Sequence, residues 1–148
     1  MGTNQIEGRT DHASIQVIIA AHAAFNARRL DELEILFHED VDLFLPLALG
    51  LRADATTGLS ALRGTLDNVL AVAPDLHMEL ERAEVVGDLV ILACVASATG
   101  TDGRRYAWPL RVLVAEEHGR ITRYVVRAPH ADIHADAHAF SRGARKPD

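Results

Sequence analysis

Residues 104–127, RRYAWPLRVLVAEEHGRITRYVVR, leave this chain few folds. Trp108, Leu110, Val112 and Val114 alternate along one side of a first long strand. Tyr124, Val126 and Ala128 share one face of a second, and His118-Gly119 between them reads as a tight turn. Two helix-like segments open the chain, and most strands follow late. That order implies a sheet with helices packed on one side, a mould for an apolar pocket. It names no reaction and no substrate.

The chain of 148 residues is one domain by size. Its net charge of -6, without a dense basic stripe, argues against nucleic acid as a partner. The longest apolar run, 17–25, is interrupted by His22 and is too short to span a bilayer. No basic segment of a signal peptide precedes it. Cys94 is the single cysteine and sits in an apolar run, so it reads as a buried core residue. Together these point to a cytoplasmic protein without a membrane partner. Residues 1–11 read as a disordered tail, in which Ile6-Glu7-Gly8-Arg9 matches a common protease tag site. Residues 12–140 form the domain, and 141–148 a flexible polar tail.

Within the domain, 12–28 is a helix with Ile15, Ile18, His22 and Phe25 on one face and Asp11 as its cap. A second helix follows at 30–38, striped by Leu33, Leu36 and Phe37. Residues 41–45 alternate as a short strand ended by Pro46. An apolar loop, 46–57, suits a flap over a pocket, and 58–72 is a third helix ended before Pro74. Leu76, Met78 and Leu80 then alternate with polar residues, and Gly87-Asp88 is a turn. The strand 89–98 is apolar on both faces, which predicts cover on both sides.

Three segments carry a family resemblance: AAFNARRLDELEILFHEDVDLFLP near the start, TTGLSALRG before the third helix and HGRITRYVV near the end. Over about residues 12–132 the chain resembles the SnoaL-like and ketosteroid-isomerase-like branch of the nuclear transport factor 2-like superfamily. The resemblance implies an α+β fold: a cone-shaped, curved mixed sheet with three helices on its concave face, enclosing a pocket. It is a guide to fold more than to activity, because this superfamily hosts many functions. The acid and base positions of ketosteroid isomerase correspond to Ala21, Leu45 and Arg111, and all three depart from the family's residues. In epoxide-hydrolase-like relatives an aspartate stands where this chain has Pro129, with Asp132 nearby. Classical steroid isomerisation is therefore not expected.

The same alignment points Arg111 into the pocket, where a guanidinium can hold a carboxylate or stabilise an enolate. The alternation of Trp108, Leu110, Val112 and Val114 instead turns Arg111 to solvent. Both readings stand at this point. His22, on the buried stripe of the first helix, is either a general acid or base or a core histidine held by one hydrogen bond. Tyr124 offers a hydroxyl to a ligand oxygen or to the backbone. The expected catalytic set is Arg111, His22 and Tyr124; the expected ligand-binding set is Phe25, Leu45, Trp108, Val126, Ala128 and His130. His130, His134 and His138 repeat every four residues, within reach of a metal if helical. They match no metal motif, and the bland reading is a polar extension, so no metal is assigned.

The expected function is cofactor-independent proton transfer on an apolar carbonyl compound: isomerisation, cyclisation or dehydration. The alternative is a ligand-binding or assembly domain of the same shape, without catalysis. The expected partners are a small apolar or weakly acidic ligand and, through the outer sheet face, a second copy of the chain.

Overall fold

The computed structural model describes residues 9–45 and 55–127. Helix α1 spans Arg9–Asn26. Its periodic stripe is realised, with Ile18, His22 and Phe25 all buried. The helix begins before the apolar pattern does, so Asp11 lies within it and is not its cap. Its C-terminus is closed by Arg28, two residues on, whose φ of 62° is left-handed. There the Arg29 N–H donates to the Ala24 carbonyl at 2.8 Å and the Arg28 N–H to the Phe25 carbonyl at 2.9 Å, the paired closure of a Schellman turn. A side chain in this conformation costs roughly 1–2 kcal/mol. The Arg28 guanidinium offsets that cost. It donates to the carbonyls of Phe25 at 2.9 Å, Pro74 at 2.7 Å and Leu76 at 2.7 Å. It also lies 5.0 Å from the centre of the Phe25 ring.

Helix α2 is short, Leu30–Ile35. The next strand, β1, is Phe37–Phe44 and starts four residues before the alternation at 41–45 suggested. Phe37 therefore belongs to a strand, although its spacing from Leu33 is helical. Sheet pairing overrides the local pattern here: Phe37 lies opposite Ile121, whose N–H donates to the Leu36 carbonyl at 2.8 Å. Thr56–Thr57 forms a two-residue strand, β2, and α3 spans Leu59–Val72. Four long strands follow: β3 His77–Val86, β4 Leu89–Thr99, β5 Arg105–Glu117 and β6 Arg120–Arg127. His118 and Gly119 both have positive φ, 53° and 84°, as the two-residue turn between β5 and β6 requires.

Among the described residues, the strands form one sheet in the order β2-β1-β6-β5-β4-β3. β1 runs parallel to β6, and every other neighbour is antiparallel. The result is the curved mixed α+β sheet, with three helices against its inner face. The β4–β5 pairing is regular from end to end, so facing can be read along it by twos. Val90, Leu92, Cys94, Ala96, Leu110, Val112 and Val114 face inward to the main core. Leu89, Ile91 and Leu113 form a second buried cluster on the outer face. Thus β4 is covered on both sides. The outer cluster is buried within the single chain, so its burial alone does not call for a second copy. Burial pushes the Cys94 thiol up to about 12, and it packs as a small apolar group.

One polar link sets how α1 meets the sheet edge. The Asn26 side-chain amide donates to the Met78 carbonyl at 2.8 Å, and its oxygen accepts from the Met78 N–H at 3.0 Å. The side chain thus takes the place of one more residue of strand beside β3. The tail expected at 1–11, apart from the helical residues 9–11, lies outside the described residues. So do the flap proper at 46–54 and everything after Arg127. Among the described residues no helix is long and apolar enough to cross a membrane. Asn26→Ala should lower stability by about 1–3 kcal/mol, the cost of leaving buried backbone groups unpaired. Urea unfolding checks this: the midpoint should fall while the slope stays constant.

Candidate functional site

The helices and the inner sheet face enclose a cavity of about 60 Å³. Helix α1 contributes Ala21, His22 and Phe25, α2 contributes Leu33, and α3 contributes Leu62, Leu66 and Val69. From the strands and their ends come Phe37, Leu43, Leu45, Leu76, Met78 and Tyr124. The amphipathic stripes of the three helices thus supply most of the wall. Among the described residues the lining carries no ionisable carboxylate, lysine or arginine. Within that described lining the side-chain nitrogen and oxygen atoms are those of His22 and Tyr124.

These two touch. His22 Nε2 lies 2.7 Å from the Tyr124 hydroxyl, and His22 Nδ1 lies 3.0 Å from the Ile18 carbonyl oxygen. A carbonyl oxygen only accepts, so Nδ1 carries the proton. In a neutral ring Nε2 is then a bare acceptor, and the tyrosine O–H donates to it. Burial lowers the His22 pKa, partly opposed by the hydrogen bond to Ile18. Burial likewise holds the Tyr124 pKa well above the ordinary phenol value. Both shifts disfavour charge, so the resting pair is neutral phenol and neutral imidazole. Phe37 braces it, with its ring centre 6.1 Å from that of Tyr124.

Two positions that hold acid–base groups in the ketosteroid-isomerase pattern, Ala21 and Leu45, line this cavity with hydrocarbon. The third does not reach it. Arg111 sits opposite Ala93 on β4 and Arg127 on β6. It therefore lies on the face of Leu113, away from the inward Leu110 and Val112. The outward reading of Arg111 is the one the register supports, and its expected role beside the substrate is corrected. Of the expected ligand-binding set, Phe25 and Leu45 line the cavity. Val126 and Trp108 belong to the inner face but not to the lining: Val126 is buried in the core and Trp108 packs against it. Ala128, His130, His134 and His138 lie outside the described residues. Among the described residues no cluster of three potential metal ligands occurs. Phe37, Leu66 and Met78 line the cavity but are not in the expected ligand-binding set. Phe37 was read into the wrong element, and the other two carried only the signal of an ordinary core.

A family profile, the SnoaL-like domain, matches residues 18–124. No curated protein matches the sequence. Among solved structures, TerC co-crystallised with polyporic acid is similar at 20% identity with a TM-score of 0.70, covering 83% of this chain and 96% of that one. A putative polyketide cyclase from Streptomyces antibioticus, IdmH, is similar at 21% identity and TM-score 0.65, covering 87% and 97%. A protein of unknown function from Burkholderia pseudomallei aligns at 16% identity and TM-score 0.70, covering 82% and 94%. At these identities the likeness is one of fold.

The lowered pKa of His22 has a sign that can be tested. Unfolded, the ring titrates near its ordinary 6.5; folded, it resists protonation. Below about pH 6.5 the unfolded state binds the extra proton, so stability should fall as pH drops, until the folded ring protonates too. Chemical denaturation across pH 8 to 5 should show this limb. His22→Gln should flatten it.

Proposed function

The chain belongs to the SnoaL-like domain family, and from that premise we propose that it moves a proton on a small, neutral carbonyl compound held in the cavity. The observation that carries this is the Tyr124–His22 hydrogen bond, a polar pair in a lining that is otherwise apolar among the described residues. In the proposed step the substrate carbon gives a proton to the Tyr124 oxygen while the phenol proton passes to His22 Nε2. The products are an enolate and an imidazolium whose Nδ1–H still donates to Ile18. Burial makes that imidazolium a stronger acid than an ordinary histidine. It returns the proton through Tyr124 to the same carbon or to another one. Return to a different carbon is isomerisation, with atoms and charge in balance. Such a relay suits proton transfer without a cofactor.

The cavity of about 60 Å³ favours small rings over large polycyclic ligands. Among the described residues the lining holds no charged group, which favours neutral ligands over acids. The same lack supports the second reading, a binding domain that performs no chemistry. One experiment separates the two. Cyclohexanone in deuterated buffer should exchange its α-hydrogens faster with the protein than without, followed by proton NMR. Tyr124→Phe and His22→Gln should each slow the catalysed part by about 10²–10⁴-fold, the range for a positioned acid or base. Exchange at the buffer rate, with cyclohexanone bound, would leave the binding reading in place.

Two copies are proposed to pair through the outer sheet face. The support is its apolar composition: Val86, Ala115 and Val125 are half-buried around the Leu89, Ile91 and Leu113 cluster. Light scattering at micromolar concentration should give a dimer mass. A monomer there removes this part of the reading.

A further inference from the structure

The outer face of the sheet carries charge that the proton relay does not use. Residues directly opposite on neighbouring strands share a face. The register therefore puts Arg82, Ala93, Arg111 and Arg127 in one row across β3, β4, β5 and β6. The next row is Glu84, Ile91, Leu113 and Val125. Arg111 and Arg127 thus stand side by side, and like charges opposite each other weaken a sheet. Arg111 is half-buried. Among the described residues the ion pairs are made by Arg29, Arg63, Arg105 and Arg123, and none by Arg111. The outward residues of β5 from Arg105 to Ala115, and of β6 from Arg123 to Arg127, include no acid. The outward acids of the regular β3–β4 register are Glu79 and Glu84, across the face on β3.

This layout limits how two copies can meet. A two-fold axis parallel to the strands keeps rows together and lays Arg127 over Arg82. An axis at right angles to the strands keeps columns together and lays the arginines of β5 and β6 over the same two strands. An oblique axis between Ile91 and Leu113 brings opposite charges together. With strands about 4.8 Å apart and alternate residues about 6.8 Å apart, it puts Arg111 over the partner's Glu84 and Leu113 beside the partner's Ile91. An axis that joined Arg111 to Glu79 would swing Ile91 and Leu113 past the β3 edge and leave the apolar cluster uncovered. We propose that two copies pair about this oblique axis, with Arg111 of each against Glu84 of the partner subunit. This rests on the outer-face pairing proposed above and fixes its geometry. Two-fold symmetry makes the contact twice.

Charge exchange between two variants tests it, read by sedimentation at micromolar concentration. Arg111→Glu alone sets two acids against each other at both contacts, and Glu84→Arg alone sets two bases. Each variant should raise the dimer dissociation constant at least about 100-fold, since like charges brought together in an interface are strongly unfavourable. An equal mixture of the two variants should form a heterodimer, because both of its contacts again join opposite charges. That recovery also excludes a folding defect as the cause of the loss. The proposal is overturned if either variant alone pairs as tightly as the unaltered chain, or if the mixture stays monomeric. If the unaltered chain is itself a monomer, the outer-face pairing fails and takes this contact with it.

Discussion

A single buried hydrogen bond, from the Tyr124 hydroxyl to His22 Nε2, organises the inside of this protein. Two polar side chains project into a hydrocarbon lining. Each would be costly there alone, and each satisfies the other. The Ile18 carbonyl fixes the remaining imidazole nitrogen as a donor. Tautomer, neutrality and direction of the hydrogen bond then follow together. The pair joins α1 to β6 across 102 residues of sequence, so the chemistry of the site is also a tertiary contact.

The same helix is tied by polar groups at a regular interval. Ser14, His22 and Asn26 fall on one side of α1, with Ile18 between the first two. Ser14 donates to a Glu116 carboxylate oxygen at 2.5 Å. The other oxygen of Glu116 accepts the Gly119 N–H at 2.7 Å, so the carboxylate also holds the β5–β6 turn. A break in the regular pairing between Ala115 and Glu116 lies beside this contact. At the far end Asn26 grips the edge strand β3, and Arg28 closes the helix onto the segment that enters that strand. Hydrophobic burial can hold a helix against a sheet but tolerates sliding. Directional contacts near both ends and the middle fix the register in which His22 meets Tyr124.

Most of this architecture is legible in the residues. The alternation in β3, β4 and β5, the His118-Gly119 turn and the stripe of α1 all follow from local periodicity, and local geometry obeys it. The failures occur where distant pairing decides. Phe37 has helical spacing from Leu33 but is drawn into β1 by Ile121. Arg111 exposed a conflict between family position and strand alternation. Alternation prevailed because β4 and β5 pair without interruption. His22 was legible as a buried histidine, yet its partner was not, since no short-range pattern links residues 22 and 124.

The account stands or falls on the protonation of the buried pair. Nitrogen-15 NMR of the His22 ring at pH 7 measures it directly. The structure predicts a neutral imidazole with its proton on Nδ1 and with Nε2 at the shift of a hydrogen-bond acceptor. A charged ring, or a proton on Nε2, would mean that Tyr124 does not donate to His22, and would contradict the relay at its first step.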